Sequence, residues 1–304
     1  MNLQQQQQPE LTPLQIWLMA ARPKTLPAAA APVIVGTATA FFEGGFHFPS
    51  ALAALLGALL LQIGANIAND LFDFKKGADT HARLGPTRVT QAGLLTPQQV
   101  ARGMWFTFAL ATLVGVYLVW RGGLPIVIIG ITAIVSALAY TGGPYPLGYN
   151  GLGDVFVFVY FGLAAVGGTH YVQTGSLSPL AVWAAVAPGL LIVGILVVNN
   201  LRDIETDRVA GKRTLAVRFG VRGAIVEYAL LMAGAYLTPL AMLMFGQGSA
   251  WMLLCWLSAP LAYRLTVQTR TLQGRALNAV LAGTGQLALL YGILFGLGLI
   301  LGSG

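Results

Sequence analysis

Six of the chain's ten carboxylates fall in two short stretches. Asn66 to Gln91 reads NIANDLFDFKKGADTHARLGPTRVTQ and carries Asp70, Asp73 and Asp79. Asn199 to Arg213 reads NNLRDIETDRVAGKR and carries Asp203, Glu205 and Asp207. Each stretch follows a long apolar run, and each brings its own cations: Lys75, Lys76 and Arg88 in the first, Arg202, Lys212 and Arg213 in the second. On a helix, at 100° per residue, Asn66, Asp70 and Asp73 lie within an arc of about 60°, and Asn199, Asp203 and Asp207 within about 80°. Each set is therefore expected to form one acidic stripe at the end of a helix.

Clustered carboxylates beside an apolar phase repel one another and lose hydration. A carboxylate at the centre of a bilayer costs about 2.5–3.5 kcal/mol on insertion scales, so the natural partner is a hard divalent cation. Mg2+ takes oxygen ligands and commonly bridges one or two carboxylates to substrate phosphates. Two facing stripes with cations beside them would hold a diphosphate, with the basic side chains on its oxygens. Such a site favours ionisation of a carbon–oxygen bond, because charge on the departing diphosphate is stabilised. Apolar helices below it would hold a lipid tail and keep water from a carbocation.

The elements that must position these residues are membrane helices. Hydrophobic residues make up 56% of the 304 and charged residues only 9%, against about 25% in a soluble domain. A spanning helix needs about 20 apolar residues. Spans are predicted at 25–42, 50–69, 101–120, 124–141, 154–172, 179–200, 223–245, 250–264 and 277–301, with residues 14–21 in the interface and 1–13 a disordered, Gln-rich tail. The expectation is an all-α membrane protein: a single domain, 14–304, of nine transmembrane helices. With the N-terminus cytoplasmic, every Lys and Arg except Arg121 falls on the cytoplasmic side, 16 of 17, as the positive-inside rule requires. The net charge of +7 is thus loop bias and not a nucleic-acid surface. Asn66-x3-Asp70 ends the second span and Asn199-x3-Asp203 the sixth. Four spans separate them, so both motifs exit on one face, and repeated polar sites in two halves point to one site between them.

The segments RPKTLPAAAAPVIVGTA (22–38), NDLFDFKKGADT (69–80), RLGPTRVTQAGLL (83–95), YTGGPYPLGYNGLGD (140–154) and NNLRDIETDRVAGKRTLAVRFG (199–220) resemble the UbiA superfamily of intramembrane aromatic prenyltransferases, and within it the branch acting on 1,4-dihydroxy-2-naphthoate. The resemblance implies a nine-helix bundle in a bacterial inner or cyanobacterial thylakoid membrane, with the active site on the cytoplasmic side. It implies Mg2+ on Asp70, Asp73, Asp79, Asp203 and Asp207, with Asp70, Asp73, Asp203 and Asp207 as the catalytic acids. Asn66 and Asn199 match the starts of the two motifs. Arg22 and Lys24 match a basic pair near substrate anions, Arg88 and Lys212 match diphosphate contacts, and Tyr140 and Tyr145 match aromatic positions after the fourth span. The implied reaction joins a prenyl group from its diphosphate to the naphthoate ring with loss of CO2, in menaquinone or phylloquinone synthesis. Phytyl, geranylgeranyl and longer polyprenyl diphosphates all remain open as donors.

Loop 141–151 carries no Lys or Arg, unlike hydroxybenzoate-type relatives. That argues against a hydroxybenzoate acceptor and leaves open which residue meets the acceptor carboxylate. Homogentisate and chlorophyll synthase types are alternatives within the superfamily. A cation-coupled transporter would place its carboxylates near the midplane in broken helices, not at helix ends before basic loops. A CDP-alcohol phosphotransferase would use one Asp motif. Elsewhere, Asp154 is expected to cap the fifth span's N-terminus through the helix dipole, His170 to lie at the interface, and Cys255 to be a small buried hydrophobe. His81 has no second His at zinc-ligand spacing.

Overall fold

The computed structural model describes residues 11–78 and 83–303. Asp79, an expected metal ligand, and His81 lie outside the described residues. The chain is helical: α1 (Pro13–Ala21), α2 (Leu26–Phe42), α3 (Phe48–Lys75), α4 (Pro97–Gly122), α5 (Leu124–Ala139), α6 (Gly153–Val157), α7 (Ala165–Thr174), α8 (Pro179–Arg202), α9 (Ile204–Val209), α10 (Leu215–Met244), α11 (Ala259–Thr271) and α12 (Leu277–Leu301). A π-helical segment, Phe158–Ala164, joins α6 to α7, and a 3-10 segment, Ala250–Ser258, leads into α11.

Sequence signals set the starts. Thr12 and Gln15 close a capping box on α1, and Thr96 and Gln99 close another on α4, each pairing two backbone donors that would otherwise be orphaned. Ser178 and Thr214 cap α8 and α10 through their hydroxyls. Gly220, with φ 70°, breaks α10 six residues in; the expected span from 223 begins just past that break.

Eight helical stretches among the described residues are long and apolar enough to cross a membrane. All nine predicted spans fall on helices, but α5 has only 16 residues, about 24 Å at 1.5 Å per residue. The second predicted stripe is also corrected. α8 ends at Arg202, Asp203 is its C-cap, and Asp207 sits on the separate α9.

Apolar side chains gain nothing from leaving lipid tails for one another, so membrane helices associate by close packing at small residues. A Cβ at Gly36 on α2 would stand 2.5 Å from the Val166 carbonyl, and one at Gly162 would stand 3.1 Å from the Gly189 Cα. α8 lies innermost, with Leu191, Val193, Val197 and Val198 buried against α2, α10 and α12. Trp105, Phe106, Leu113 and Trp120 on α4 and Ile128, Ile131 and Val135 on α5 are exposed. A large exposed apolar face of this kind is a surface for lipid. The chain is an integral, multi-pass membrane protein.

Candidate active site

The acidic ends of α3 and α8 are covered by connections that pin each carboxylate differently. Asp70 is 1% exposed and accepts two backbone hydrogen bonds, from Val89 N at 3.0 Å and Thr90 N at 3.1 Å. The loop after α3 is thereby folded back onto its own helix. Asp73, one turn on, accepts Arg88 Nη2 on Oδ2 at 2.7 Å and the Tyr149 hydroxyl on Oδ1 at 2.6 Å. Asn66 spends its amide on the first turn of the fold, donating to Ala21 O at 3.0 Å and Thr25 Oγ1 at 2.9 Å. It fixes the bend that carries Arg22 and Lys24. Arg22 has φ 53°, the one positive φ of a non-glycine among the described residues, a conformation that costs energy and clusters at functional sites. Its Nη2 is buried with no hydrogen-bond partner, whereas Lys24 is exposed.

In the second motif, Arg202 clasps Asp203 through Nε, 2.8 Å from Oδ1, and through Nη2. Arg202 Nη2 also donates to Asn199 Oδ1 at 2.9 Å, so Asn199, like Asn66, holds scaffold. Lys212 Nζ stands 3.0 Å from Asp207 Oδ1.

Three links join the motifs into one site. Tyr149, from the loop between α5 and α6, reaches Asp73 with its hydroxyl, while its carbonyl accepts Arg213 N at 2.6 Å. Lys76 and Lys212, one from beside each motif, lie 5.0 and 4.8 Å from its ring centroid. Asn278, at the start of α12, accepts Arg202 Nη1 at 2.7 Å and donates to Leu84 O at 3.0 Å, tying the first loop to the second motif. Tyr149 and Asn278 escaped the sequence reading. An aromatic in a loop without cations was a signal for Tyr149; nothing local marked Asn278. Of the two tyrosines expected here, Tyr145 is 61% exposed. Tyr140 is the C-cap of α5, with its ring against Gly148 and its hydroxyl against Gly153.

Burial raises the Asp207 pKa above the ordinary carboxylate range, with Asp203 and Asp73 adding to the rise and Lys212 opposing it. Burial lowers that of Lys76, against the pull of Asp73. Among the described residues no three His, Cys, Asp or Glu side chains converge as a ready-made metal site. Each described motif carboxylate is held by a cation or by backbone N–H groups of the chain itself. These acids still suit Mg2+. Ionised carboxylates offer about four lone-pair positions, and Asp70 and Asp73 each use one per oxygen on the contacts above. Hard oxygen donors are the ligands this ion takes. The guanidinium of Arg22, within electrostatic reach of Arg88, Arg83, Asp70 and Asp73, has an unpaired buried N–H for an anion.

Asp154 lies in the first turn of α6, where the helix dipole favours an acid, one residue past Gly153 with Leu152 at the N-cap, and its Oδ1 is buried without a hydrogen-bond partner. One expectation outside the site changes. His170 is fully buried, with Nδ1 3.1 Å from Thr39 Oγ1 and Nε2 3.2 Å from Glu43 Oε2. Cys255 is free and buried, as expected.

Apolar helices carrying two acidic helix ends beneath one polar, basic cover define an intramembrane protein with a single cluster of carboxylates and cations. The chain belongs to the UbiA prenyltransferase family, which matches residues 29–290, and it is a prenyltransferase. It is 40% identical over 299 residues to 1,4-dihydroxy-2-naphthoate octaprenyltransferase of Escherichia coli (strain K12), covering 96% of this chain and 97% of that one. It is 38% identical over 304 residues to the protein of the same name from Haemophilus influenzae, covering 95% and 97%. Its fold matches a UbiA homolog from Archaeoglobus fulgidus bound to GPP and Mg2+, with TM-score 0.66, 18% identity, and coverage of 94% of this chain and 99% of that one.

Proposed function

We propose that this chain transfers a prenyl group from its diphosphate to 1,4-dihydroxy-2-naphthoate, with loss of CO2 and release of diphosphate. The observation that carries the reading is the meeting of the two acidic motifs: Lys212, paired with Asp207, lies 4.8 Å from the centroid of the Tyr149 ring, whose hydroxyl is bonded to Asp73. The naphthoate acceptor is supported by the relatives above, and their names favour a long, octaprenyl-type tail over phytyl.

Asp70, Asp73, Asp203 and Asp207 are the residues that would hold Mg2+, with Asp79 beside them in sequence. When bound, the ion supplies Lewis-acid stabilisation of charge on the departing diphosphate. Arg22, with its unpaired Nη2, binds a phosphate oxygen. Lys76 and Lys212 neutralise the same group from either motif. Tyr140 offers a phenolic hydrogen-bond donor. The apolar helices below hold the tail and exclude water from the allylic cation. Nine crossings, with α5 as the fourth and the N-terminus and site cytoplasmic, follow from the distribution of Lys and Arg.

The experiment is a product assay in nanodiscs with Mg2+, offering 1,4-dihydroxy-2-naphthoate with phytyl, geranylgeranyl and octaprenyl diphosphates in competition. A decarboxylated octaprenyl naphthoquinol is expected. Product only with homogentisate or chlorophyllide would discard the acceptor and keep the family. Turnover that survives thorough chelation with EDTA would remove the metal.

A further inference from the structure

The loop between α5 and α6 has no cation of its own, yet cations from two other loops gather on one of its side chains. Lys76 follows the first motif and Lys212 follows the second, and their ammonium groups lie 5.0 and 4.8 Å from the centroid of the Tyr149 ring. The same residue donates its hydroxyl to Asp73 Oδ1 at 2.6 Å. Its carbonyl is anchored by Arg213 N at 2.6 Å, and the Lys76 ammonium donates to Gly143 O at 3.2 Å, at the near end of the same loop. Tyr149 thus touches both motifs through three kinds of contact.

We propose that Tyr149 is a positioning residue of the diphosphate site with two separable parts. Its hydroxyl orients a carboxylate that would hold the metal, and its ring holds Lys76 and Lys212 ready for one phosphate group. The proposal rests on the diphosphate reading above. Ligating carboxylates act through the hydrogen bonds that orient them, and losing such a partner typically costs 10–100-fold in metal affinity. A lysine is a flexible point charge whose ordering costs rotamer entropy. A π face that attracts two of them lowers that cost before the anion arrives. The loop needs no lysine because it borrows one from each motif.

The test uses the full chain in nanodiscs, wild type, Tyr149→Phe and Tyr149→Leu. Mn2+ binding is read by electron paramagnetic resonance, and binding of geranyl thiolodiphosphate, a poorly reactive donor analogue, by intrinsic tryptophan fluorescence with Mn2+ saturating. Tyr149→Phe keeps the ring and loses the hydroxyl. It should weaken Mn2+ binding about tenfold and leave analogue affinity within about threefold of wild type at saturating metal. Tyr149→Leu loses both and should weaken Mn2+ as much and the analogue about tenfold further than the Phe variant does. In turnover with octaprenyl diphosphate, the Leu variant should raise KM more than it lowers kcat. Equal losses of analogue affinity in Phe and Leu would overturn the ring's part, and Mn2+ binding unchanged in Phe would overturn the hydroxyl's. A purely structural residue would lower both affinities in parallel with the thermal midpoint. A wild-type chain that binds neither Mn2+ nor the analogue would remove the diphosphate reading itself, and the proposal with it.

Discussion

Substitution of Asp70 separates the folding of the first loop from the binding of metal. The carboxylate is 1% exposed, and its two oxygens accept Val89 N at 3.0 Å and Thr90 N at 3.1 Å. Val89 is fully buried and Thr90 is 4% exposed, so water does not replace a lost acceptor. Asp70→Ala leaves two buried N–H groups unpaired at about 1–3 kcal/mol each, about 2–6 kcal/mol of local stability. Asp70→Asn keeps one acceptor oxygen and turns an NH2 toward the other donor, so it loses roughly half as much. Every 1.4 kcal/mol is tenfold in an equilibrium. Amide hydrogen exchange over residues 84–95 in nanodiscs should therefore quicken by at least about 30-fold in the Ala variant, and by clearly less in Asn. Exchange in α8 and α12 should change little, because local openings leave distant helices closed. Prenyl transfer should fall in both variants, since both lose the anionic oxygen proposed to hold Mg2+. Protection of 84–95 that is the same in Ala as in wild type would refute the reasoning. Normal turnover in either variant would refute the placement of Asp70 in the site.

Arg88→Met should strand Asp73 beside one remaining donor, Tyr149. The pair is buried, 6% and 5% exposed at the side chains, so the loss is about 3–5 kcal/mol, with part recovered in Arg88→Met/Asp73→Asn; a double-mutant cycle of thermal midpoints that shows no coupling would contradict it. Asn278→Ala should free Arg202 and Leu84 together and raise KM for the prenyl diphosphate several-fold, while the protein remains folded; steady-state kinetics with unchanged KM would count against the tie. Asp207 has a raised pKa, so the folded state binds its proton more tightly than the unfolded chain. Its contribution to stability is present below the ordinary carboxylate value and is lost as pH rises through the raised one. Mg2+ needs the deprotonated acid, so the rise in thermal midpoint on adding Mg2+ should grow with pH above about 4 and flatten in Asp207→Asn. A Mg2+ increment that ignores pH would refute this.

Much of the fold is written in local patterns. Apolar runs of membrane length are helices because lipid offers the backbone no hydrogen-bond partner: eight of the nine predicted runs fall on helical stretches long enough to cross, and the other on the shorter α5. The period of 3.6 residues alone places Asn66, Asp70 and Asp73 on one face of α3, and all three are buried there together. The concentration of carboxylates at two helix ends marks the site for the same reason: charge is costly beside hydrocarbon and is kept only where it is used. What that pattern could not carry is the identity of each partner. Tyr149 meets Asp73, and Arg202 meets Asn278, across 76 residues of chain in each case. Cations expected to await phosphate are instead partly spent on the carboxylates, Arg88 on Asp73, Arg202 on Asp203 and Lys212 on Asp207. Asn66 and Asn199, alike in sequence, hold a backbone bend in one case and an arginine in the other. Residue type and spacing settle which face of a helix a side chain occupies. Which loop is folded down upon that face depends on the packing of helices remote in sequence, and it is this packing that selects Tyr149 over Tyr145 and brings two acidic ends under one cover.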